Sequence, residues 1–561
     1  MHTVSGISVS GGIAAGPLRV WKRTETRLSR VSRLAPGQER ARFEAACKTA
    51  GSQLEGLYRQ VLAEAGKDSA AIFEIHRMML EDEDYLEAVM SVLETQGATA
   101  EYAAQEAGRQ LSAAFSAMNS EYMQARAADV TDISRRVIRI LTGQGGAAAL
   151  GDRPVILAAG ELTPSELVRL DRSRLLGFLT RCGSAASHTA ILARTMNIPA
   201  LTGVDFDEDW DGRTAVLDGC GGRLYLDPDR GLLAAMEEKR QGLLRDRALL
   251  QGLRDLPSVT LDGREIQICA NIGGPADAAL ALENGAQGVG LFRSEFLYLN
   301  AEKCPGEEEQ LAAYRQAVRA MAGRRVVIRT LDAGADKRAD CLCLEREENP
   351  ALGLRAIRLC LERKELFRTQ LRAILRAAAF GPVSILFPMI ASLWEVREAR
   401  ALLEDCRSEL QAEGAAPGGV RLGVMIETPA AVMIAGELAQ EVDFFSIGTN
   451  DLTQYTLAAD RQDPRLERFR DPRHPAVLRM IGYTVEAGHR HGCRVAICGG
   501  LAADRSLTEA FLRMGVDELS VPPSDILPLR RLVRGLDLRG EQTPGECPVR
   551  SLNGADFQGI F

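Results

Sequence analysis

The chain has 561 residues, of which 46% are hydrophobic and 26% charged, with a formal net charge of −8. That length and balance describe a globular protein of several domains with ample material for a core, and exclude a disordered or fibrous chain. No apolar run approaches the roughly 20 residues a membrane helix needs, the N-terminus shows no secretory leader, and the acidic balance argues against nucleic acid as a partner.

Residues 1–22, containing "SGISVSGGIAAGP", are rich in Gly and Val. No proline then occurs from residue 37 to residue 153, and the intervening segment is rich in Ala, Glu, Leu, Gln and Arg. In "AIFEIHRMMLEDEDYLEAVMSVLE", Ile72, Phe73, Ile75, Met79 and Leu80 recur at helical spacing. The segment predicts a bundle of several helices that stops near Gly143. Between 154 and 225 the short apolar runs "PVILAA", "LLGFLT" and "TAVLDG" predict strands. The simplest arrangement is an α/β domain, residues 1–22 and 145–228, interrupted by a helical insertion, residues 23–144. Residues 229–255 predict a charged, amphipathic linker helix.

From 256 to 561 the pattern changes to short apolar runs, each followed by polar residues and a helical stretch. Seven such runs, from "IQICANI" through "RVAICGG", predict a parallel (β/α)8 barrel of the TIM type. "NPALGLRAIR" and "ELSVPP" are candidates for further strand ends. The twelve cysteines include no C-x-x-C pair, so they predict reduced thiols in a cytoplasmic protein rather than a zinc site.

The chemistry collects at the C-terminal ends of the barrel runs, where such a barrel binds its substrate. Asn271, Arg293, Glu295, Arg329, Asp332, Lys337, Arg355, Glu427, Asn450, Asp451, Arg461 and Cys498 all fall there. Arginines present paired donors that suit phosphate and carboxylate oxygens. Glu427 and Asp451 are hard oxygen ligands suited to Mg²⁺. The expected substrate is a small anion with phosphate and carboxylate groups. Cys498, closing an apolar strand, fits either a proton donor or a buried structural thiol.

A second feature lies outside the barrel. In "GSAASHTAILART", His188 follows small residues, Ser184 to Ser187, and opens an apolar helix. Small neighbours leave the ring accessible, and the free N–H groups of a helix start favour phosphate. A neutral imidazole is nucleophilic near pH 7. The same pattern also fits a structural histidine.

Taken together, these motifs resemble the Enzyme I family of the bacterial sugar phosphotransferase system, the phosphoenolpyruvate–protein phosphotransferases. The resemblance runs from about residue 4 to about 530 and is carried by "SGISVSGGIAAGP", "AIFEIHRMMLEDEDY", "LTPSE", "SHTAILART", "GVGLFRSEFLYL", "IRTLDAGADK", "EENPALGLRAIR", "IETPAAVMIA" and "VDFFSIGTNDLTQYTLAADR". It implies that phosphoenolpyruvate phosphorylates His188 on Nε2, releasing pyruvate, and that the phosphoryl group passes to the carrier HPr. It further implies that Thr163 orients the imidazole and that Arg293, Arg329 and Arg461 bind phosphoenolpyruvate, assisted by Arg355, Lys337 and Asn450. Glu427 and Asp451 would hold Mg²⁺, and Cys498 would protonate the departing enolate. The insertion would bind HPr through Glu74, Glu81, Asp82, Glu83 and Asp84 beside Phe73, Met78, Met79 and Leu80. The barrel would form a homodimer.

The chain departs from the family pattern at Ser184-Ala185-Ala186, at Ala335, at Ala351, at Gly500 and over its last 30 residues. Two other readings follow from related chemistry. A pyruvate phosphate dikinase or phosphoenolpyruvate synthase needs a large nucleotide-binding domain, for which the sequence has no room and no Gly-rich phosphate loop. A regulatory paralogue that binds phosphoenolpyruvate and a carrier but turns over slowly fits the loop departures.

Overall fold

The structure, a computed structural model, describes residues 2–21, 28–117, 121–143, 150–183, 187–299, 301, 303–334, 339–345 and 347–539. Lys337, Ala335, Ser184, Ala185, Ala186 and the unusual C-terminal residues from 540 onward lie outside these. The chain divides into two units, residues 1–246 and 247–561.

The first unit holds an eight-stranded mixed sheet. Its strands are β1 (His2–Ser5), β2 (Ile7–Ser10), β3 (Ile13–Trp21), β4 (Val155–Ala159), β5 (Leu175–Thr180), β6 (Ala200–Thr202), β7 (Thr214–Asp218) and β8 (Arg223–Leu226), in the order β1-β8-β7-β3-β4-β5-β6-β2. The three apolar runs expected as strands are β4, β5 and β7. Strand β3 precedes the proline-free segment and β4 follows it, yet they pair in parallel, Leu18 opposite Ile156. The helices α1 (Pro36–Leu80), α2 (Glu83–Gln96), α3 (Ala100–Ser116) and α4 (Glu121–Leu141) are therefore inserted between adjacent strands. Gly143, in a left-handed conformation with φ +68°, follows α4, as the expected stop requires.

Helices α5 (Pro164–Arg169) and α6 (His188–Thr195) pack on the sheet. Phe43, Phe73, Val89 and Val137 of the bundle share one apolar core with Leu157, Leu167, Phe178 and Leu192. A continuous core fixes the bundle and the α6 helix in one body. The expected docking face is corrected by this packing. Phe73 is fully buried, and Met79 and Leu80 are buried with it, while Met78 is 53% exposed. The helical spacing that singled these residues out marks the side of α1 turned to the core. Met78 and the acidic residues Glu74 and Glu81 to Asp84 are what the surface retains.

Helix α7 (Arg230–Gln251) crosses from the first unit's numbering into the second's and buries none of its side chains. The expected amphipathic face is thus not used as a core face. Glu237–Arg240 at 2.7 Å and Lys239–Asp218 at 2.7 Å are its ion pairs.

The second unit is a closed, all-parallel barrel of eight strands. They are β9 (Gln267–Ile272), β10 (Val289–Arg293), β11 (Val326–Arg329), β12 (Val383–Phe387), β13 (Val420–Ile426), β14 (Phe444–Ile447), β15 (Arg494–Ile497) and β16 (Glu518–Val521). All seven expected runs are strands, and "ELSVPP" supplies the eighth. Each residue of β12 is buried, which is why these strands read as continuous apolar runs rather than alternating ones. "NPALGLRAIR" is not a strand. It forms a short turn at Pro350–Leu352 and a helix from Ala356 to Glu362, with Arg355 at the helix N-cap position. Leu291, Val327, Leu386, Met425, Phe444 and Cys498 form one buried apolar cluster on the barrel strands. No helix among the described residues is long and apolar enough to cross a membrane.

Candidate active site

The barrel strands deliver the expected polar residues to one end. Arg293 and Arg329 close β10 and β11, Glu427 follows β13, Asp451 lies in the helix Thr449–Leu457 after β14, and Cys498 follows β15. Arg329 sits between two acids, bonded to Glu295 and 3.1 Å from Asp332. Arg355 reaches Asp332 at 2.7 Å and Asp451 at 3.4 Å, and also donates to Tyr455 Oη at 3.1 Å. Arg461 reaches the other oxygen of Asp451 at 3.1 Å. Burial works against the charge on Arg329, but Glu295 and Asp332 outweigh it and hold the guanidinium firmly protonated. The same balance, with Asp332 and Asp451 as the acids, holds for Arg355. Such buried pairs are stable only while every member keeps a partner.

Glu427 is the exception in this network. It is 1% exposed, and it accepts a hydrogen bond from Met389 N–H at 2.6 Å. Met389 takes a left-handed φ of +58°, a costly conformation outside glycine. Gly448 faces the same carboxylate: a Cβ there would lie 2.6 Å from Glu427 Oε2. Burial, then the Asp451 and Asp332 carboxylates, pushes Glu427 up from 4.5 to about 8, against the pull of Arg329 and the Met389 N–H.

Whether these residues suit a divalent cation follows from that shift. Among the described residues no group of three or more His, Cys, Asp or Glu side chains is gathered as a ready metal site. Two buried carboxylates that oppose each other's charge, one driven toward its neutral form, fit a cation that completes its coordination with substrate oxygens and water.

Cys498 is 3% exposed, and burial pushes its thiol up to about 11, so it keeps its proton at neutral pH. Its backbone carbonyl accepts from Asn271 Nδ2 at 3.1 Å. Asn450 accepts a hydrogen bond from Gly500 N–H at 3.0 Å, joining the segments that follow β14 and β15. Arg293 is exposed.

His188 is the first residue of α6. Ser187 caps that helix by accepting from Ala190 N–H at 3.2 Å, and Thr189 Oγ1 donates to Leu162 C=O at 2.8 Å. The imidazole is 42% exposed, and its Nδ1 lies 3.9 Å from Asp129 Oδ1 on α4. Thr163, which the resemblance assigns to orienting the ring, caps α5. Its hydroxyl accepts from Glu166 N–H at 3.3 Å and stands 3.4 Å from Ser165 Oγ, while Glu166 reaches back to Thr163 N–H at 2.9 Å. This T-x-x-E capping box is readable in "LTPSE". Asp129 was not singled out by the sequence, because nothing local marks a buried acid on a bundle helix as the neighbour of a distant histidine.

Profiles of known families match most of the chain: PEP-utilising enzyme, N-terminal, over residues 5–126; PEP-utilising enzyme, mobile domain, over 151–222; and PEP-utilising enzyme, PEP-binding domain, over 247–538. Fold and site thus define a PEP-utilising enzyme. Phosphoenolpyruvate-protein phosphotransferases from Staphylococcus carnosus (strain TM300), Bacillus sp. (strain S) and Geobacillus stearothermophilus are 40%, 41% and 41% identical to it over 538 residues. Each alignment covers 95% of this chain and 94%, 93% and 93% of the relatives respectively. The chain belongs to the phosphoenolpyruvate–protein phosphotransferase family.

The raised Glu427 has a measurable consequence in metal-free protein. Between pH 4.5 and about 8 the folded state keeps a proton that the unfolded state releases. The stability this gives is complete below pH 4.5 and is lost as pH rises through about 8. Glu427→Gln, which cannot ionise, should therefore gain stability relative to the parent across that window, by on the order of a few kcal/mol. Calorimetric unfolding of both proteins checks this, and a difference that does not change with pH would contradict it.

Proposed function

We propose that this chain takes the phosphoryl group of phosphoenolpyruvate onto Nε2 of His188 and passes it to a small phosphocarrier of the HPr type, the first step of sugar phosphotransfer in the cytoplasm. The observation that carries the reading is the convergence of Arg329, Arg355 and Arg461 on Asp451 and Asp332 at the barrel end that also holds Glu427 and Cys498. A small dianion or trianion is the ligand such a set of forked donors suits.

In this reading Arg293, Arg329 and Arg461 bind the phosphate and carboxylate of phosphoenolpyruvate, with Arg355 and Asn450 supporting them and Lys337 joining from outside the described residues. Glu427 and Asp451 would hold Mg²⁺, which when bound would supply positive charge to offset that of the phosphoryl group. Phosphoryl transfer needs chiefly alignment and charge neutralisation, and the arginines provide both. Nε2 of His188 attacks phosphorus, and the bridging P–O bond breaks with its electron pair on the enolate. Cys498, which holds its proton at neutral pH, delivers it to the enolate carbon. The carrier docks on the insertion at Met78 with Glu81 and Glu83, an acidic surface that would steer a basic partner. A homodimer through the barrel completes the reading.

Mixing the protein with phosphoenolpyruvate and Mg²⁺ should give stoichiometric phosphohistidine, abolished by His188→Ala. Phosphorylation that survives in His188→Ala, or none in the parent protein, would overturn the reading.

The role of Cys498 separates from simple burial by comparison with Cys493, which is also buried. Cys498→Ala should lose net conversion of phosphoenolpyruvate to pyruvate while His188 still accepts phosphate from phosphorylated carrier. Cys493→Ala should turn over normally. Equal turnover of the two variants would remove Cys498 from the mechanism.

A further inference from the structure

The first unit buries an arrangement of charge that neither packing nor helix capping requires. His76 on α1 is completely buried, and its Nε2 lies 3.1 Å from Asp129 Oδ1. Its Nδ1 lies 3.6 Å from Asp132 Oδ2, and neither of these two atoms makes a hydrogen bond. The other oxygen of Asp132 accepts from Ser165 Oγ–H at 2.8 Å. One imidazole is thus enclosed by two acids from successive turns of α4. The His76 ring also meets the Phe73 ring edge-on, with centroids 6.3 Å apart. Taking such groups out of water is expensive, and apolar residues of similar size would fill the space at lower cost. The end of the network nearest the surface is Asp129, whose Oδ1 also faces Nδ1 of the half-exposed His188.

From this we infer that Asp129 is a positioning residue for His188, accepting the Nδ1 proton so that Nε2 carries the reactive lone pair, and that His76 holds Asp129 in place. The inference rests on the reading of His188 as the phosphoacceptor. Which imidazole nitrogen is free to react is set by the partner of the other nitrogen. The 3.9 Å separation is longer than a hydrogen bond, as it often is for catalytic groups before substrate binds. The inference requires the half-exposed His188 ring to turn toward Asp129.

The chemistry balances without any proton leaving the ring. Nε2 donates its lone pair to phosphorus, the P–O bond to the enol oxygen breaks, and that oxygen keeps the bonding pair. The phosphorylated ring retains Nδ1–H and is positively charged, with the Asp129 carboxylate beside it. On transfer to the carrier the N–P bonding pair returns to Nε2, and Nδ1–H is again unchanged. Thr163, with its hydroxyl engaged at the start of α5, joins the same polar network through Ser165, and its neighbour Leu162 accepts a hydrogen bond from Thr189, the residue after His188.

The test uses the full-length protein and three variants, Asp129→Asn, His76→Gln and Thr163→Val, each checked for folding by thermal unfolding. NMR of the imidazole nitrogens reads the tautomer ratio of unphosphorylated His188. Rapid-quench kinetics reads its phosphorylation by phosphoenolpyruvate. Asp129→Asn should move the ratio toward the Nε2–H tautomer and lower kcat by at least roughly 10-fold, the lower end of what loss of an orienting carboxylate costs a functional imidazole. KM for phosphoenolpyruvate should stay within about twofold, because the lost contact is not a substrate contact. His76→Gln should act in the same direction but less strongly, and it serves as the readout if Asp129→Asn fails to fold. A slower variant with an unchanged tautomer ratio would overturn the inference, since a merely structural role predicts that outcome. So would a shifted ratio at unchanged rate, or a shift produced by Thr163→Val and not by Asp129→Asn. If His188→Ala is itself still phosphorylated, the underlying reading fails, which is a distinct result from any of these.

Discussion

Four carboxylates, Glu295, Asp332, Glu427 and Asp451, are buried together at one end of a closed apolar barrel, and the rest of the site answers to that constraint. Ionised acids that close are tolerated only with cations among them. Arg329 and Arg355 are buried with them and each bonds two. Arg461 takes the remaining oxygen of Asp451. Glu427 is left with a backbone N–H and the more distant charge of Arg329, so it is the acid whose ionisation is disfavoured. The backbone accommodates this corner at some cost, with a left-handed Met389 and a glycine at 448. A site arranged this way is charged but nearly neutral, and a cation or an anion arriving alone disturbs it.

The first unit solves a related problem on a smaller scale. There the buried acids belong to a helix of the insertion, and their partners are an imidazole in the core and a serine hydroxyl at the start of α5. Because the bundle and the α6 helix share one core, the position of Asp129 relative to His188 is set by packing rather than by a mobile loop. The insertion therefore contributes to the histidine's surroundings as well as offering an outer surface.

Much of the barrel was legible in the sequence because parallel strands buried on both faces leave uninterrupted apolar runs, and because several of the runs, those of β11, β13 and β14, lead into charged residues that are buried with partners, Arg329, Glu427 and Asp451. "NPALGLRAIR" misled for a physical reason: its apolar residues flank the bend that places Arg355 at a helix start, and a short apolar run alone does not distinguish strand from helix. The acidic and apolar stretch around Met78 misled differently. Its periodicity identified the side of α1 that faces inward, so Phe73, Met79 and Leu80 are core and only Met78 is surface. The partnership of His76, Asp129 and His188 was not legible at all. It joins residues far apart in the chain through tertiary packing, and no local spacing encodes it. The T-x-x-E spacing of "LTPSE" marks a helix start that the resemblance passed over, and its threonine caps α5.

If Glu427 and Asp451 hold Mg²⁺ as proposed, the cation and phosphoenolpyruvate bind the acid-rich barrel end as mutually dependent partners. Ligands that bind only the folded state stabilise it by an amount that grows with the logarithm of ligand concentration over Kd, and so raise its unfolding temperature. The direct measurement is calorimetric unfolding of the metal-free protein with Mg²⁺ alone, phosphoenolpyruvate alone, and both, using His188→Ala so that no phosphoryl transfer intervenes. The two together should raise the unfolding temperature of the barrel by more than the sum of their separate effects, and that excess should vanish in Asp451→Asn. Full stabilisation by phosphoenolpyruvate alone, with Mg²⁺ adding nothing, would contradict it.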